Sequence, residues 1–81
     1  MTEPEFAEMM EQAESNWRHS SRPGYFEGYM KGLRRLYYGP GYGSLQEHEE
    51  WLGMAYRGNG IIADRGRGYY DGLQGVRPIF S

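Results

Sequence analysis

Cysteine is absent from this chain of 81 residues, and so are long hydrophobic runs. Without cysteine the fold has no disulfide bridge and no thiolate zinc site, so a reducing compartment is open to it. No apolar run approaches the roughly 20 residues that a membrane-spanning helix needs. The chain starts with MTEPE, which is acidic, whereas a signal peptide starts with basic residues. We therefore expect a cytoplasmic protein that has no contact with a membrane.

Histidine is scarce, with two residues in the whole chain. His19 lies in a polar stretch, and we expect His48 to point away from the core on the outer face of a helix. Metal ligands on a helix lie three or four residues apart. Glu47 and Glu50 have that spacing, but His48 lies on another side. The chain also lacks the Gly-x-Ser-x-Gly elbow of serine hydrolases. We therefore expect no enzymatic activity, no metal site and no cofactor.

The length allows one small core, so residues 1–81 are expected to form a single domain. Hydrophobic residues make up only 38% of the chain, but aromatic residues make up 16% and include eight tyrosines. We therefore expect most tyrosine rings to lie in the core. Apolar residues recur at helical spacing along most of the chain. This pattern predicts an all-α fold, a small compact bundle of three to four short helices with a Gly-Pro-Gly loop.

The first predicted helix, residues 1–17, is acidic and amphipathic. Thr2 and Glu5 have the spacing of a capping box, in which each side chain bonds the other residue's backbone N–H. The second helix is expected to begin near Pro23, with Ser20 or Ser21 as its cap. The apolar side of the first helix is formed by Phe6, Met9, Met10, Ala13 and Trp17.

The third predicted helix follows the loop of residues 39–43, with Ser44 and Glu47 as a second capping box. A fourth is expected from about residue 61 to 73. Pro78 should then end regular structure, and Ile79 and Phe80 are expected to fold back onto the core. The GYGS sequence at residues 41–44 could bind phosphate through backbone N–H groups or could simply reverse the chain direction. The expected core side of the third helix is formed by Leu45, Trp51, Leu52, Ala55 and Tyr56.

Glycines recur every four residues in the second predicted helix. A glycine inside a helix costs about 1 kcal/mol relative to alanine, so this ridge indicates that a neighbour approaches the backbone closely. Residues 24–29 (GYFEGY) are echoed by residues 68–73 (GYYDGL). We therefore predict that both helices use one packing device, against the helix between them. The predicted helix-packing residues are Gly24, Gly28, Gly32, Tyr29, Trp51, Gly68 and Gly72.

The net charge of −2 combines two unequal parts. Residues 1–17 carry five glutamates and no Lys or Arg, which gives −5, and the remaining residues sum to +3. The acidic face predicted for protein interaction contains Glu5, Glu8 and Glu11. Arginines lie beside tyrosines elsewhere, a pattern that suits RNA phosphates and stacked bases. The predicted RNA-binding or partner-binding residues are Arg34, Arg35, Tyr38, Arg57, Arg65 and Arg67.

The chain from about residue 25 to 64 resembles the ribosome modulation factor family. That family has a Gly-Tyr-x-x-Gly helix, a loop with Pro and Tyr, and a Trp-Leu-Gly segment followed by an aromatic residue and an arginine. The matching positions are residues 28–32, Pro40, Tyr42, residues 51–53, Tyr56 and Arg57.

The resemblance implies that residues 22–75 form a helical body without enzymatic activity. It also implies binding to the small ribosomal subunit near the 3′ end of its RNA, where family members block initiation and promote inactive ribosome dimers. Tyr29, Trp51 and Arg57 would be shared with the family, the first two as packing residues.

Two alternatives remain open at this stage. One is a phage-type inhibitor, anti-host or anti-defence and similar to anti-CRISPR proteins, that blocks a host protein complex. Tyrosine, tryptophan and arginine suit such a role because they are frequent anchors of protein interfaces. The other is a homodimer stabilised by the glycine ridge, with a ligand bound between the subunits.

Overall fold

The fold consists of four α-helices in a computed structural model that describes residues 1–58 and 60–79. The all-α prediction is confirmed, since the described residues contain helices and no strands. The molecule measures 35 × 30 × 16 Å. Its shortest dimension is little more than one helix diameter. The helices are α1 (Glu3–His19), α2 (Pro23–Tyr38), α3 (Leu45–Met54) and α4 (Ile61–Gln74).

Local sequence signals set most helix ends. The capping box of Thr2 and Glu5 is confirmed, and α1 continues to His19, beyond the predicted end at residue 17. The predicted cap of α2 was wrong. Arg22 is its N-cap residue and makes no side-chain cap bond, whereas the Ser20 hydroxyl accepts a hydrogen bond from the Arg22 N–H. Ser20 ends α1 instead, so three residues make the whole turn.

At the start of α3, one of the two hydrogen bonds of the predicted capping box is present. The Ser44 hydroxyl accepts a hydrogen bond from the Glu47 N–H at 3.0 Å, as expected for an N-cap residue. The Glu47 carboxylate does not complete the box, because it forms an ion pair with Lys31 of α2. This contact joins the first turn of α3 to the centre of the fold.

The centre of the fold is a close contact between α2 and α4. A Cβ atom at Gly24 would meet the carbonyl oxygen of Ile61, one at Gly28 that of Arg65, and one at Gly32 that of Tyr69. Each step of four residues on α2 matches a step of four on α4, so the two helices run in parallel. The ridge does not pack against α3, as the sequence had suggested, but directly against the helix that carries the echo.

The contact is reciprocal. A Cβ at Gly68 would overlap the carbonyl oxygen of Tyr25, and a Cβ at Gly72 would overlap that of Tyr29. Exchanging α2 and α4 therefore reproduces the same contacts when residue numbers are shifted by 40, from 28 to 68 and from 32 to 72. Such reciprocity is the mark of a local two-fold axis.

The two-fold axis corrects the alignment of the echo. Residues 68–73 (GYYDGL) are equivalent to residues 28–33 (GYMKGL), not to residues 24–29 as the sequence had suggested. The repeat includes the outer helices, because α1 packs on α2 and α3 packs on α4. With a shift of 42, Thr2, Glu5 and Ala13 match Ser44, Glu47 and Ala55. The fold is therefore a duplicated helical hairpin, with helices in the order α1, α2, α4, α3 across one layer.

The core is smaller than the aromatic content predicts. Tyr25, Phe26, Tyr29 and Leu33 are completely or almost completely buried, and Ala13 packs against them from α1. The expectation that most tyrosines lie in the core was wrong. Of the eight, only three are buried, and a layer one helix thick leaves the others at its surface. The exposed tyrosines are Tyr38, Tyr42, Tyr56 and Tyr70.

The outer helix α3 contributes less to the core than predicted. It has no buried residue. Leu45 and Tyr56, both expected on its core side, are 65% and 91% exposed. The backbone of Ala55 approaches α4 at Gly66, and the His48 and Trp51 rings lie near Tyr69 of α4. Leu45 and Tyr56 lie outside these contacts. Among the described residues, no helix is long and apolar enough to cross a lipid bilayer.

Candidate functional site

The residues predicted to bind RNA or a partner do not form one surface. Arg34, Arg35 and Tyr38 lie in the last two turns of α2. Arg57 follows α3, and Arg65 and Arg67 lie in α4. Arg35 lines a small pocket with His48 and Tyr69, whereas Arg67 lines a different groove with Tyr56 and Tyr70, so the predicted set is divided between at least two places.

Several of these arginines already have partners within the fold. The Arg65 Nε donates to Glu27 Oε2 of α2 at 2.9 Å. Arg67 lies 3.9 Å from Asp64, near the limit of an ion pair. Arg35 donates to the carbonyl oxygen of Tyr42 at 2.8 Å and ties the loop to α2. These contacts hold the arginine side chains in place and partly neutralise two of them.

Aromatic rings gather at the C-terminal end of α2. The rings of Phe6 and Tyr37 stack with centroids 4.2 Å apart, so the start of α1 is fixed to the end of α2. The ring centroids of Tyr38 and Tyr42 lie 5.4 Å apart, and Tyr38 is 61% exposed. The end of α2 therefore presents two tyrosine rings beside the half-buried Arg34.

The predicted acidic face is exposed on α1. The Glu5 side chain accepts bonds from Thr2, and these bonds lower the pKa of Glu5 below its usual value. Glu8 accepts a bond from Gln12 at 3.3 Å, and Glu11 is exposed. Glu5 and Glu8 also line an open groove of 550 Å³ between α1 and residues 75–78, which includes Arg77.

His48 does not point to solvent, which corrects the sequence prediction. Its Nδ1 lies 2.7 Å from the hydroxyl of Tyr69, a residue buried in α4. Burial raises the pKa of the Tyr69 hydroxyl, so this group stays protonated at neutral pH. With the shift of 42, His48 is the counterpart of Phe6 in the first hairpin.

The pocket beside this pair is small, and its Lys31 and Arg35 side chains already have partners in the fold. It has a volume of 160 Å³ and includes Lys31, Arg35 and Ser44. Lys31 bonds Glu47 and lies 5.0 Å from the centre of the Trp51 ring, which itself lies 6.0 Å from the Tyr69 ring. The GYGS sequence lies between α2 and α3, and its Ser44 hydroxyl accepts the hydrogen bond from the Glu47 N–H that caps α3.

An apolar groove lies between the end of α3 and α4 and has a volume of 720 Å³. Tyr56 is 91% exposed and Tyr70 is 55% exposed at this groove. The sequence does not predict this groove, although Arg57, next to Tyr56, and Arg67, three residues before Tyr70, are among the predicted binding residues. We call this surface the tyrosine groove; it is lined by Leu52, Ala55, Tyr56, Arg67, Tyr70, Asp71 and Ile79.

The segment after α4 crosses the buried tyrosines of α2. The Tyr29 hydroxyl donates to the carbonyl oxygen of Val76 at 2.7 Å. The Tyr25 hydroxyl donates to Asp71 at 2.5 Å and accepts from the Ile79 N–H at 3.1 Å. Ile79 was expected to fold back onto the core, and its backbone does so while its side chain stays 66% exposed. Phe80, expected to do the same, lies outside the described residues.

The described residues contain no cluster of three or more His, Cys, Asp or Glu side chains that could hold a metal ion. No protein-family model, curated protein or solved structure matches the chain.

Proposed function

We propose that this chain is a non-enzymatic regulatory protein that binds a larger partner through the tyrosine groove and covers part of the partner's surface. The observation that carries this proposal is the exposure of Tyr56 and Tyr70 beside Arg67, above an apolar floor of Leu52 and Ala55. Tyrosine and arginine anchors around an apolar centre are typical of protein interfaces.

The charge distribution favours a protein partner over RNA. The outer helix α1 carries five glutamates and one arginine, and α3 carries three glutamates and no Lys or Arg. Two of the arginines in the inner part of the fold face carboxylates. Because phosphate binding depends on cations placed along the RNA backbone, two acidic flanks oppose it.

The ribosomal hypothesis is the second candidate, and a separate surface supports it. Arg34 lies at the end of α2 together with the exposed rings of Tyr38 and Tyr42. Cations beside exposed rings suit single-stranded RNA, whose bases stack on aromatic side chains. This surface belongs to the segment that resembles ribosome modulation factor.

Affinity capture with two matched variants tests the proposal. The full chain carrying Tyr56→Ser and Tyr70→Ser is compared with the chain carrying Tyr38→Ser and Tyr42→Ser, both in lysate and with purified 30S subunits. All four rings are exposed, so we expect both variants to fold. We expect the first pair to abolish partner capture and the second pair to leave it intact. Capture that survives the first pair would overturn the role of the groove.

Salt dependence tests the ribosomal candidate directly. Binding to purified 30S subunits that weakens steeply with salt, and is lost with Arg34→Ala and Arg35→Ala, would support it. Lack of 30S binding at low salt would exclude it and leave the protein partner.

A further inference from the structure

The tyrosine groove combines an exposed ring with an apolar space beside it. Tyr56 lines the groove but is 91% exposed, so its ring touches little of its own chain. Tyr70 and Ile79 line the same groove and are 55% and 66% exposed. Exposed apolar side chains gathered around a groove are typical of a surface that binds another molecule. One surface therefore offers both a ring that can be buried and a place that can receive a ring.

The charges of the groove are balanced. Among the described residues that line it, Arg67 and Asp71 are the charged ones, and they lie four residues apart on α4. A surface with one charge of each sign matches a copy of itself, because a two-fold axis midway between the two side chains exchanges their positions. Arg67 of one copy then faces Asp71 of the other, and the reverse contact forms at the same time.

Both charged side chains keep hydrogen-bonding capacity for such a contact. Arg67 Nη1 lies 3.9 Å from Asp64 Oδ1, which is beyond hydrogen-bond distance, and Asp64 also lies 3.4 Å from Arg22. Asp71 accepts the hydrogen bond of the Tyr25 hydroxyl through Oδ2. A carboxylate has acceptor sites on both oxygens, so Asp71 can accept from a second donor.

Other kinds of partner match these charges less well. An acidic segment or an RNA phosphate would meet the like charge of Asp71, and a basic segment would meet that of Arg67. The described residues that line the groove include none of the three glutamates of α3, so these carboxylates lie outside the contact. A second copy is the occupant whose charges fit the groove in both directions.

We infer that the tyrosine groove binds the tyrosine groove of a second copy of this chain, in a two-fold dimer that places Tyr56 of each copy in the groove of the other. The dimer covers the surface that the proposed function assigns to the partner, so self-association competes with partner binding. This competition rests on the proposed function, whereas the dimer itself rests only on the groove. One groove on each copy makes a small interface, of the weak class that buries less than about 1,200 Å² in total.

Sedimentation equilibrium of the full chain tests the dimer, at concentrations from about 1 μM to about 1 mM. We expect a reversible equilibrium between monomer and dimer. Tyr56→Ser combined with Tyr70→Ser should raise the dissociation constant at least about tenfold. Tyr38→Ser combined with Tyr42→Ser, which changes two exposed rings outside the groove, should leave it unchanged. Thermal unfolding checks that each variant is folded.

A charge exchange tests the predicted contact between the copies. Arg67→Glu gives each groove two carboxylates, so it should weaken the dimer. Adding Asp71→Asn should restore part of the affinity, because it removes the repulsion while its amide oxygen can still accept from the Tyr25 hydroxyl. Glu49→Gln is the control: it removes an exposed carboxylate outside the groove, so it should not relieve the effect of Arg67→Glu.

Three results would overturn the inference: a chain that stays monomeric up to about 1 mM, a dimer that survives the Tyr56 and Tyr70 changes, or a loss at Arg67→Glu that Asp71→Asn does not relieve. Binding of a single-stranded RNA oligonucleotide to a monomeric chain in a Tyr56-dependent manner would overturn it too. Groove-dependent partner capture by a monomeric chain would leave the proposed function standing and reject only the dimer. A groove-dependent dimer with unchanged partner capture would support the dimer and reject the proposed function.

Discussion

Gly28 and Gly68 occupy equivalent positions on the two helices at the centre of the fold, and each faces a carbonyl oxygen of the other helix. Gly28 faces Arg65, and Gly68 faces Tyr25. Their Cα hydrogens point at these oxygens, a weak hydrogen-bond geometry that recurs where helices pack closely. Because the glycine ridges of α2 and α4 pack against each other within one chain, a homodimer would have to form through a different surface.

The first prediction concerns this contact. Gly68→Ala and Gly28→Ala should each lower the free energy of unfolding by about 2–3 kcal/mol, because the added methyl overlaps backbone that cannot move away alone. The two losses should be similar, since the sites are equivalent. Gly53→Ala is the control: it lies in α3 with no neighbour within 4 Å, so it should stabilise by up to about 1 kcal/mol. Urea unfolding measures all three, and unchanged stability in Gly68→Ala would refute the close contact.

The second prediction concerns His48 and Tyr69. His48→Phe, which installs the residue of the first hairpin, should cost about 1–3 kcal/mol because the Tyr69 hydroxyl loses its partner. Tyr69→Phe added to His48→Phe should cost less than the sum of the single changes. A double-mutant cycle from urea unfolding gives this coupling, and we expect about 1 kcal/mol. Tyr70→Phe, at an exposed ring, should change stability by no more than about 0.5 kcal/mol. Additive single effects would contradict the hydrogen bond.

The third prediction concerns the segment after α4. Tyr25→Phe removes the acceptor of the Ile79 N–H and the donor to Asp71, so hydrogen exchange at the Ile79 amide should become faster. Tyr29→Phe, which removes the bond to Val76, should cost about 1 kcal/mol. Tyr42→Phe serves as the control at an exposed ring. If Ile79 exchange is the same in all variants, the tyrosine hydroxyls do not hold this segment.

The fourth prediction concerns alkaline pH. Burial raises the pKa of Tyr25, and the hydrogen bond to Asp71 adds to the effect; burial also raises the pKa values of Tyr29 and Tyr69. An unfolded tyrosine has a pKa of about 10, so above that pH the unfolded chain releases protons that the folded chain retains. The unfolded state then binds fewer protons, and stability falls as pH rises.

Below about pH 10 both states keep these protons, so these groups make no contribution to pH dependence there. Urea unfolding at about pH 8 and about pH 11 should show the loss. Tyr25→Phe should reduce the difference between the two pH values, and Tyr56→Phe, at the exposed ring, should leave it unchanged. Equal stability at both pH values would show that these hydroxyls ionise as easily in the folded protein as in the unfolded chain.

Local signals account for what the sequence predicted correctly. The capping box at Thr2, the cap at Ser44 and the loop at residues 39–43 each act within about four residues, so each can be seen in the chain itself. The side of α3 could not be predicted this way. Its apolar residues predicted a core face that includes Leu45. The close contact of Gly66 with the backbone of Ala55 instead sets how α3 lies on α4. In this arrangement Leu45 is exposed and His48 contacts Tyr69.

The sequence by itself determined an all-α fold of three to four helices, several of the helix ends and the presence of a close-packing glycine ridge. Only the tertiary structure decided that this ridge packs against its own repeat, and that residues 28–33 correspond to residues 68–73. The reason is that helix spacing and capping depend on near neighbours, whereas the register of two parallel helices depends on which backbone carbonyls meet which glycines. The packing of each outer helix on its inner helix is likewise a contact between distant parts of the chain, and this packing leaves Tyr56 and Tyr70 at the surface.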